Sequence, residues 1–256
     1  MKPHVISAFI LWVALTAIGE FLAFQNMYPT VGSSEASDFD GIFRFLLILG
    51  VPVFTMVISV VAYSFLAFRA KGDPTEDGPA IRGTGHFPKV WLVLTGGLAV
   101  IVMIYPGLTG LAKLQQDKTG YGWGSSNTDL TIHVEGQRWS WTINYPDQNI
   151  TLLPSGSEPI MLPVNRTIRF EGTALDVLHS MWIPAFRMRI DVVPGRTTHM
   201  EVTPDRLGDY QTDDAYRLQC SQLCGLDHAK MKFPVKVVSD DDFKAWVAAQ
   251  QQKSGK

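Results

Sequence analysis

Residues 220 to 231 read CSQLCGLDHAKM and set Cys220, Cys224, His228 and Met231 at intervals of four, four and three. Each of these side chains carries a metal-binding atom, and both cysteines of the chain are among them. Two thiolates, an imidazole and a thioether suit copper better than magnesium, calcium or manganese, which take oxygen ligands. Zinc is the competing metal. A structural zinc site is closed by Cys and His, whereas a Met just after a Cys/His pair is the weak axial ligand of copper electron-transfer sites, so copper is preferred. A Cys220–Cys224 disulfide is the plain alternative that an oxidising compartment would permit. His228 and Met231, following at ligand spacing, argue against it.

One loop does not complete a copper centre, and the imidazoles available beside it are His133, His179 and His199. His179, in DVLHSMWIP, follows an alternating stretch and precedes Trp182 and Pro184, where a β-sandwich would present a loop at its end. In the cupredoxin fold a distant upstream His joins a Cys, a His and a Met from one late loop, and the interval from His179 to Cys220 is similar. His133 and His199 lie inside strand-like runs and read as ordinary strand residues. A single blue copper takes one Cys, two His and a weak Met. The second cysteine does not fit that set. Two thiolates four residues apart on one loop can each bridge two coppers, leaving one His and one weak ligand for each metal.

The elements that position these residues fall into two halves. Apolar residues crowd residues 1–111, with runs at 5–24, 45–68 and 90–111. Each is about 20 residues, enough at roughly 1.5 Å per residue to cross a hydrocarbon core of about 30 Å. The first run competes with a signal peptide. Its length, and the lack of a small-x-small cleavage site in FQNMYPT, favour a retained helix, giving three spans, or two if it is cleaved. Pro52, and Pro106 with Gly107, fall inside spans, where neighbouring helices absorb a kink. Lys2, Arg69, Lys71, Arg82 and Lys89 mark the cytoplasmic side, because the loop between the first two runs has Glu35, Asp38 and Asp40 but no Lys or Arg. The chain after Leu111 is therefore expected outside. Glu20 reads as a wet structural residue near the outer end of its helix, and Arg44 as a snorkelling one.

Residues 112–127 are polar and Gly/Ser-rich and read as a linker. Beyond them the period becomes alternating. Strand-like runs at 128–136, 137–145, 166–172, 196–202 and 233–239 are separated by Pro, Gly and Asp turns, the pattern of a β-sandwich or barrel. Ser239 can cap a final helix with Phe243, Trp246 and Val247 on one packing face. The expected layout is a transmembrane region at 1–111, a linker at 112–127, a β domain at 128–239 and a helix and tail at 240–256. A formal net charge of −2 and the lack of a basic run exclude nucleic acid as a partner.

The copper loop, DVLHSMWIP, IDVVPGR at 190–196 and GQRWSW at 136–141 together look like subunit II of cytochrome c oxidase, in the family's order and over the whole soluble domain. The resemblance implies a cupredoxin-like Greek-key sandwich carrying CuA, a pair of copper ions bridged by Cys220 and Cys224. It implies His179 and Met231 on one copper, and His228 with the backbone carbonyl of Gln222 on the other. It also implies that Trp139 is the exposed tryptophan where electrons arrive from cytochrome c or an equivalent donor, with Trp141 as the core aromatic and, by strand alternation, on the same face. Asp176, Asp191 and Arg196 resemble the family's buried polar residues beneath the loop, with turn and ion-pair roles as the equal alternative.

Four departures qualify the match. Gln222 stands where the family usually has Glu, whose carboxylate belongs to a magnesium site shared with subunit I, so magnesium is not carried over. Ile143 replaces an aromatic, and Asp147 is the only acid between it and Glu158, which weakens acidic docking of a basic cytochrome c; Asp205, Asp209, Asp213 and Asp214 could compensate but read rather as turn residues. HFPKVW has no Glu before Trp91, so no proton-uptake role transfers. The described spans contain no internal histidine, His4 and His86 lying at their edges, so haem and oxygen chemistry are expected in a partner. The implied function is a relay in a prokaryotic inner membrane, passing electrons to haem in subunit I for oxygen reduction coupled to proton translocation. A CuA subunit of a nitric oxide reductase and a free-standing membrane cupredoxin are the rival readings. A quinol oxidase subunit would have lost these ligands, and no CxxCH is present to attach a c-type haem.

Overall fold

The computed structural model describes residues 2–25, 27–69, 85–110, 128–153 and 158–254, with single positions at 72, 83 and 112. The expected linker, apart from Ala112, and the cytoplasmic-side markers Lys71 and Arg82 lie outside the described residues. The chain packs as two compact units, Met1–Met27 with Gly41–Gly110, and Tyr28–Asp40 with Leu111–Lys256.

The first unit is helical. Among the described residues, three helices are long and apolar enough to cross a membrane, Pro3–Ala23, Ser34–Ala67 and His86–Leu108. Helix α1 spans Lys2–Ala23, α2 spans Ser34–Ala67 and α3 spans His86–Val102. The backbone after α3 continues as a wider turn at Met103–Leu108, and the helical geometry breaks at Tyr105, just before Pro106. Pro52 stays inside α2. Its carbonyl accepts from the Trp12 indole at 2.8 Å, and the Thr16 and Thr55 hydroxyls meet at 2.7 Å, so α1 and α2 satisfy each other's polar groups.

The second unit is a two-sheet sandwich. One sheet has the order β3-β2-β1-β5-β8, from Ile150–Leu152, Ser140–Tyr145, Leu130–Gln137, Ile168–Ala174 and Thr198–Val202. The other has the order β4-β11-β10-β6-β7, from Ile160–Pro163, Lys232–Val238, Arg217–Cys220, His179–Trp182 and Arg189–Val192, with β9 (Gly208–Asp209) pairing β11. β1 runs parallel to β5 and β4 parallel to β11. This is the sandwich that the strand pattern implied, in the cupredoxin-like form that the resemblance implied. Alternation explains the core: Leu130, Ile132 and Val134 from β1, Trp141, Ile143 and Tyr145 from β2, and Phe233, Val235 and Val237 from β11 are all buried. The Tyr145 hydroxyl accepts from the Met161 amide at 2.9 Å and donates to its carbonyl at 3.0 Å, joining the two sheets. Burial pushes that phenol well above its ordinary range, so it stays a neutral strut.

Helix α4, Asp240–Ser254, starts as expected. The Ser239 hydroxyl accepts from the Asp242 amide at 3.1 Å, and Phe243, Trp246 and Val247 pack on the core. Residues 28–40 also belong to this unit. Gly32 donates to the Ala185 carbonyl at 2.8 Å, and the Arg187 guanidinium holds Asp40 through two bonds of 2.8 Å while donating to the Pro29 carbonyl at 2.6 Å.

Candidate metal centre

The site sits at one end of the sandwich, where β6, β10 and β11 are neighbours. β10 pairs antiparallel with β6, placing Cys220 opposite Met181, two residues after His179. The ten residues from Ser221 to Lys230 then loop back to Met231, whose carbonyl accepts from the Cys220 amide at 3.0 Å. The Ser221 amide donates to the Ser180 carbonyl at 2.9 Å, fixing the loop's first residue to β6. Gly225 turns the loop at φ 124°, a backbone state that side chains disfavour.

This closure gathers the donors. The sulfurs of Cys220 and Cys224 are 3.8 Å apart, far beyond a disulfide's S–S length of about 2.05 Å, and both thiols are free. Cys220 Sγ lies 3.8 Å from His179 Nδ1 and 3.2 Å from the Gln222 carbonyl oxygen. Cys224 Sγ lies 3.4 Å from His228 Nδ1 and 3.9 Å from Met231 Sδ. Donors sharing one tetrahedral metal, with bonds of about 2.0 Å to nitrogen and 2.3 Å to sulfur, stand about 3.5–3.8 Å apart. The spacing therefore suits metal between the sulfurs, with each cysteine within reach of one imidazole and one weaker donor. His179, Cys220, Cys224 and Met231 are buried and His228 is half-buried, so soft ligands face each other in a largely dry pocket.

Asp176 sets the orientation of His179. Its carboxylate accepts from His179 Nε2 at 2.9 Å, which leaves Nδ1 as the lone-pair nitrogen facing the thiols. Burial alone would raise the Asp176 pKa. Hydrogen bonds from His179, from the Arg138 amide and guanidinium, and from the Val177 amide outweigh it and hold the carboxyl below its usual range. Arg138 was not singled out from the sequence, although it lies inside GQRWSW beside the two tryptophans. Asp176→Asn should lower copper affinity by about 10–100-fold, the usual cost of losing an outer-shell partner, in a chelator competition where Asp205→Asn changes nothing.

Burial, followed by the neighbouring Cys220 thiol, pushes the Cys224 pKa up to about 11. Without metal that thiol is protonated near neutrality, so metal binding must displace its proton. Copper affinity is therefore expected to rise with pH, by up to about tenfold per unit for each thiol proton displaced. The measurement is chelator competition at about pH 6 and about pH 8; equal affinities would contradict it.

Trp139 and Trp141 separate. Trp141 is buried in β2, with its indole nitrogen donating to the Met231 carbonyl at 3.3 Å and its ring edge-on to His179 at 5.9 Å. Gly136 makes room for this, since a Cβ there would stand 3.0 Å from the Trp141 ring and 3.1 Å from the His179 ring. Trp139 is 37% exposed and lies against Gly225, where a Cβ would come within 3.2 Å of its indole. The two do not share a face, because Trp139 belongs to the turn between β1 and β2 and not to the strand. Asp191 and Arg196 are exposed, against the expected burial beneath the loop; Asp191 lies 3.7 Å from Arg189. His133 pairs with Glu171 at 3.2 Å on the outer face of β1, and His199 lies on β8, neither belonging to the thiol cluster.

Comparison with known proteins gives one consistent result. The family model for the periplasmic domain of cytochrome c oxidase subunit II matches residues 130–238. A cytochrome c oxidase subunit 2 from Synechocystis is 25% identical, over 96% of this chain and 83% of its own length. A probable cytochrome c oxidase subunit 2 from Rickettsia prowazekii is 29% identical, over 90% of this chain and 73% of its own. The solved periplasmic domain of cytochrome oxidase subunit II from Bradyrhizobium japonicum is 32% identical, covering 49% of this chain and 96% of that one, with a TM-score of 0.43.

Proposed function

The chain belongs to the cytochrome c oxidase subunit II family, and from that premise we propose that it is the electron-accepting subunit of a membrane haem-copper oxidase. The observation that carries the proposal is the convergence of two free cysteines, two imidazoles, a thioether and a carbonyl at ligand spacing on one end of the sandwich. In this reading Cys220 and Cys224 would both hold a pair of coppers, with His179 and Met231 completing the donors of one and His228 and the Gln222 carbonyl those of the other. When bound, such a pair would supply one-electron redox chemistry, with the charge of each electron shared between two metals.

The protein's own residues do the rest. β6, β10 and β11 hold the donors before metal arrives, Asp176 fixes the His179 ring, and Trp141 braces both His179 and the Met231 carbonyl. Trp139 is the point where a donor reaches the site, through its contact with the loop at Gly225. Exposed Leu175, Leu178, Leu223 and Leu226 come from the loops at this end and give the approach an apolar character. That agrees with the scarcity of acidic residues after Trp141. Residues 128–239 form the copper-carrying domain on the outer side of a prokaryotic cytoplasmic membrane, and the three apolar helices anchor it. The acceptor is haem in subunit I, where oxygen is reduced with proton translocation. Gln222 offers copper its backbone but presents no carboxylate, so magnesium is left out of the proposal.

The test is isolation of the full chain from its own membrane in mild detergent, followed by identification of what comes with it. A haem-bearing integral partner that consumes oxygen with a reduced cytochrome c is the expected result. A copper-loaded chain without a haem partner would make it a free-standing carrier, and nitric oxide consumption in place of oxygen would make it a reductase subunit.

A further inference from the structure

On the outer face of the first sheet, strand register aligns polar side chains into a row across all five strands. Thr151 on β3 is opposite Asn144 on β2, and Asn144 is opposite His133 on β1. His133 is opposite Glu171 on β5, which is opposite His199 on β8. The residues alternating with this row, Ile132 and Val134, Phe170, and Met200, are fully buried, so the row faces away from the core. A surface cleft of about 330 Å³ lies over the β3, β2, β1 and β5 members of the row, lined by His133, Asn144, Thr151 and Glu171 with Glu135 and Thr173 of the adjacent row, and His199 stands beyond its edge.

From this juxtaposition we propose that His133, Glu171 and His199 form a second metal site, for a zinc-class divalent cation, separate from the thiol loop. His133 Nε2 and Glu171 Oε2 are already 3.2 Å apart. His133 and His199 are two strand spacings apart, or about 9.5 Å. An imidazole ligating through Nε2 holds a metal about 6 Å from its own Cβ, given a metal–nitrogen bond of about 2.0–2.1 Å, so two rings meeting at a tetrahedral angle span about 10 Å. The metal then lies above Glu171, which stands between the two histidines in the row, and its carboxylate supplies the third bond. His199 joins by a side-chain rotation on an incompletely buried strand face. Asn144 donates its amide nitrogen to Thr151 at 2.8 Å, which leaves Oδ1 to accept from a metal-bound water. Two imidazoles and one carboxylate, with the remaining positions open to water, are a nitrogen and oxygen donor set that zinc accepts. An exposed His–Glu ion pair alone contributes little to stability, and it leaves the in-register His199 unaccounted for.

The test uses the full chain in detergent, its thiol loop first loaded with copper, titrated with zinc chloride by calorimetry beside a His133→Gln/His199→Gln double variant. Zinc taken up by an incompletely loaded thiol loop would appear in both proteins, so the difference between them isolates the row. The wild-type chain is expected to bind one further zinc, with affinity falling at least about tenfold for each ligand removed, a lower bound set by the cost of losing even an outer-shell partner. Glu171→Gln should weaken binding in the same direction. An unchanged copper spectrum in the variants shows that they are folded. Equal zinc stoichiometry and affinity in wild type and double variant, or no zinc bound beyond the thiol loop, would overturn the proposal.

Discussion

Replacing Cys224 with serine should abolish the proposed paired-copper site and leave at most one copper per chain. Cys224 Sγ is the atom nearest to three partners, at 3.4 Å from His228 Nδ1, 3.8 Å from Cys220 Sγ and 3.9 Å from Met231 Sδ. A serine hydroxyl in that place is a harder donor that is not deprotonated near neutrality, and it cannot bridge two soft metals. His228 then loses its shared metal while His179, Cys220 and Met231 remain, a set close to that of a single blue copper. Cys220→Ser should fail in the same way, since Cys220 stands between His179 and the Gln222 carbonyl. In the assembled oxidase, turnover with a reduced donor should fall at least about a hundredfold, equivalent to about 2.7 kcal/mol on the barrier. Copper analysis and the visible spectrum check the first statement and oxygen uptake the second. Ser221→Ala, in the same loop but outside the donor set, should change neither.

The two tryptophans should fail in opposite ways. Trp141→Ala removes a buried ring together with its bond to the Met231 carbonyl, and large-to-small changes of this kind cost about 3–5 kcal/mol. The metal-free protein should melt more than about 10 °C lower. Copper retention should fall as well, because His179 and Met231 both lose their brace. Trp139→Ala removes a ring that is 37% exposed and packs on Gly225, so folding, copper content and spectrum should be retained. What it should lose is the reaction with the donor, with kcat/KM falling at least about tenfold, or about 1.4 kcal/mol. A Trp139 variant that lost copper, or a Trp141 variant that kept both stability and copper, would reverse the assignment of the two residues.

The donor set and the three spans were legible because each rests on a strong local signal. Both cysteines fall within five residues of each other, and the apolar runs are about as long as a bilayer is thick. The five longer strands were legible from alternation. The short ones were not: β3, β4, β6, β7, β9 and β10 have two to four residues each, too few to show a period. Alternation puts Trp139 on the face of Trp141 only if β2 begins right after Gly136, whereas β1 runs on to Gln137 and Arg138 and Trp139 make the turn. The packing of residues 28–40 against the sandwich depends on Arg187 meeting Asp40, partners 147 positions apart that no local pattern connects. Burial of Asp191 and Arg196 was expected from the resemblance, and in this chain by itself both are exposed.

Electron paramagnetic resonance of the copper-loaded full chain, with copper per chain counted on the same sample, tests whether Cys220 and Cys224 together hold a copper pair. Two coppers per chain are expected and, after partial oxidation, one unpaired electron showing the hyperfine pattern of two equivalent copper nuclei. Both features should be lost in Cys224→Ser. One copper per chain with the pattern of a single nucleus, or a loop that takes zinc in preference to copper, would contradict it.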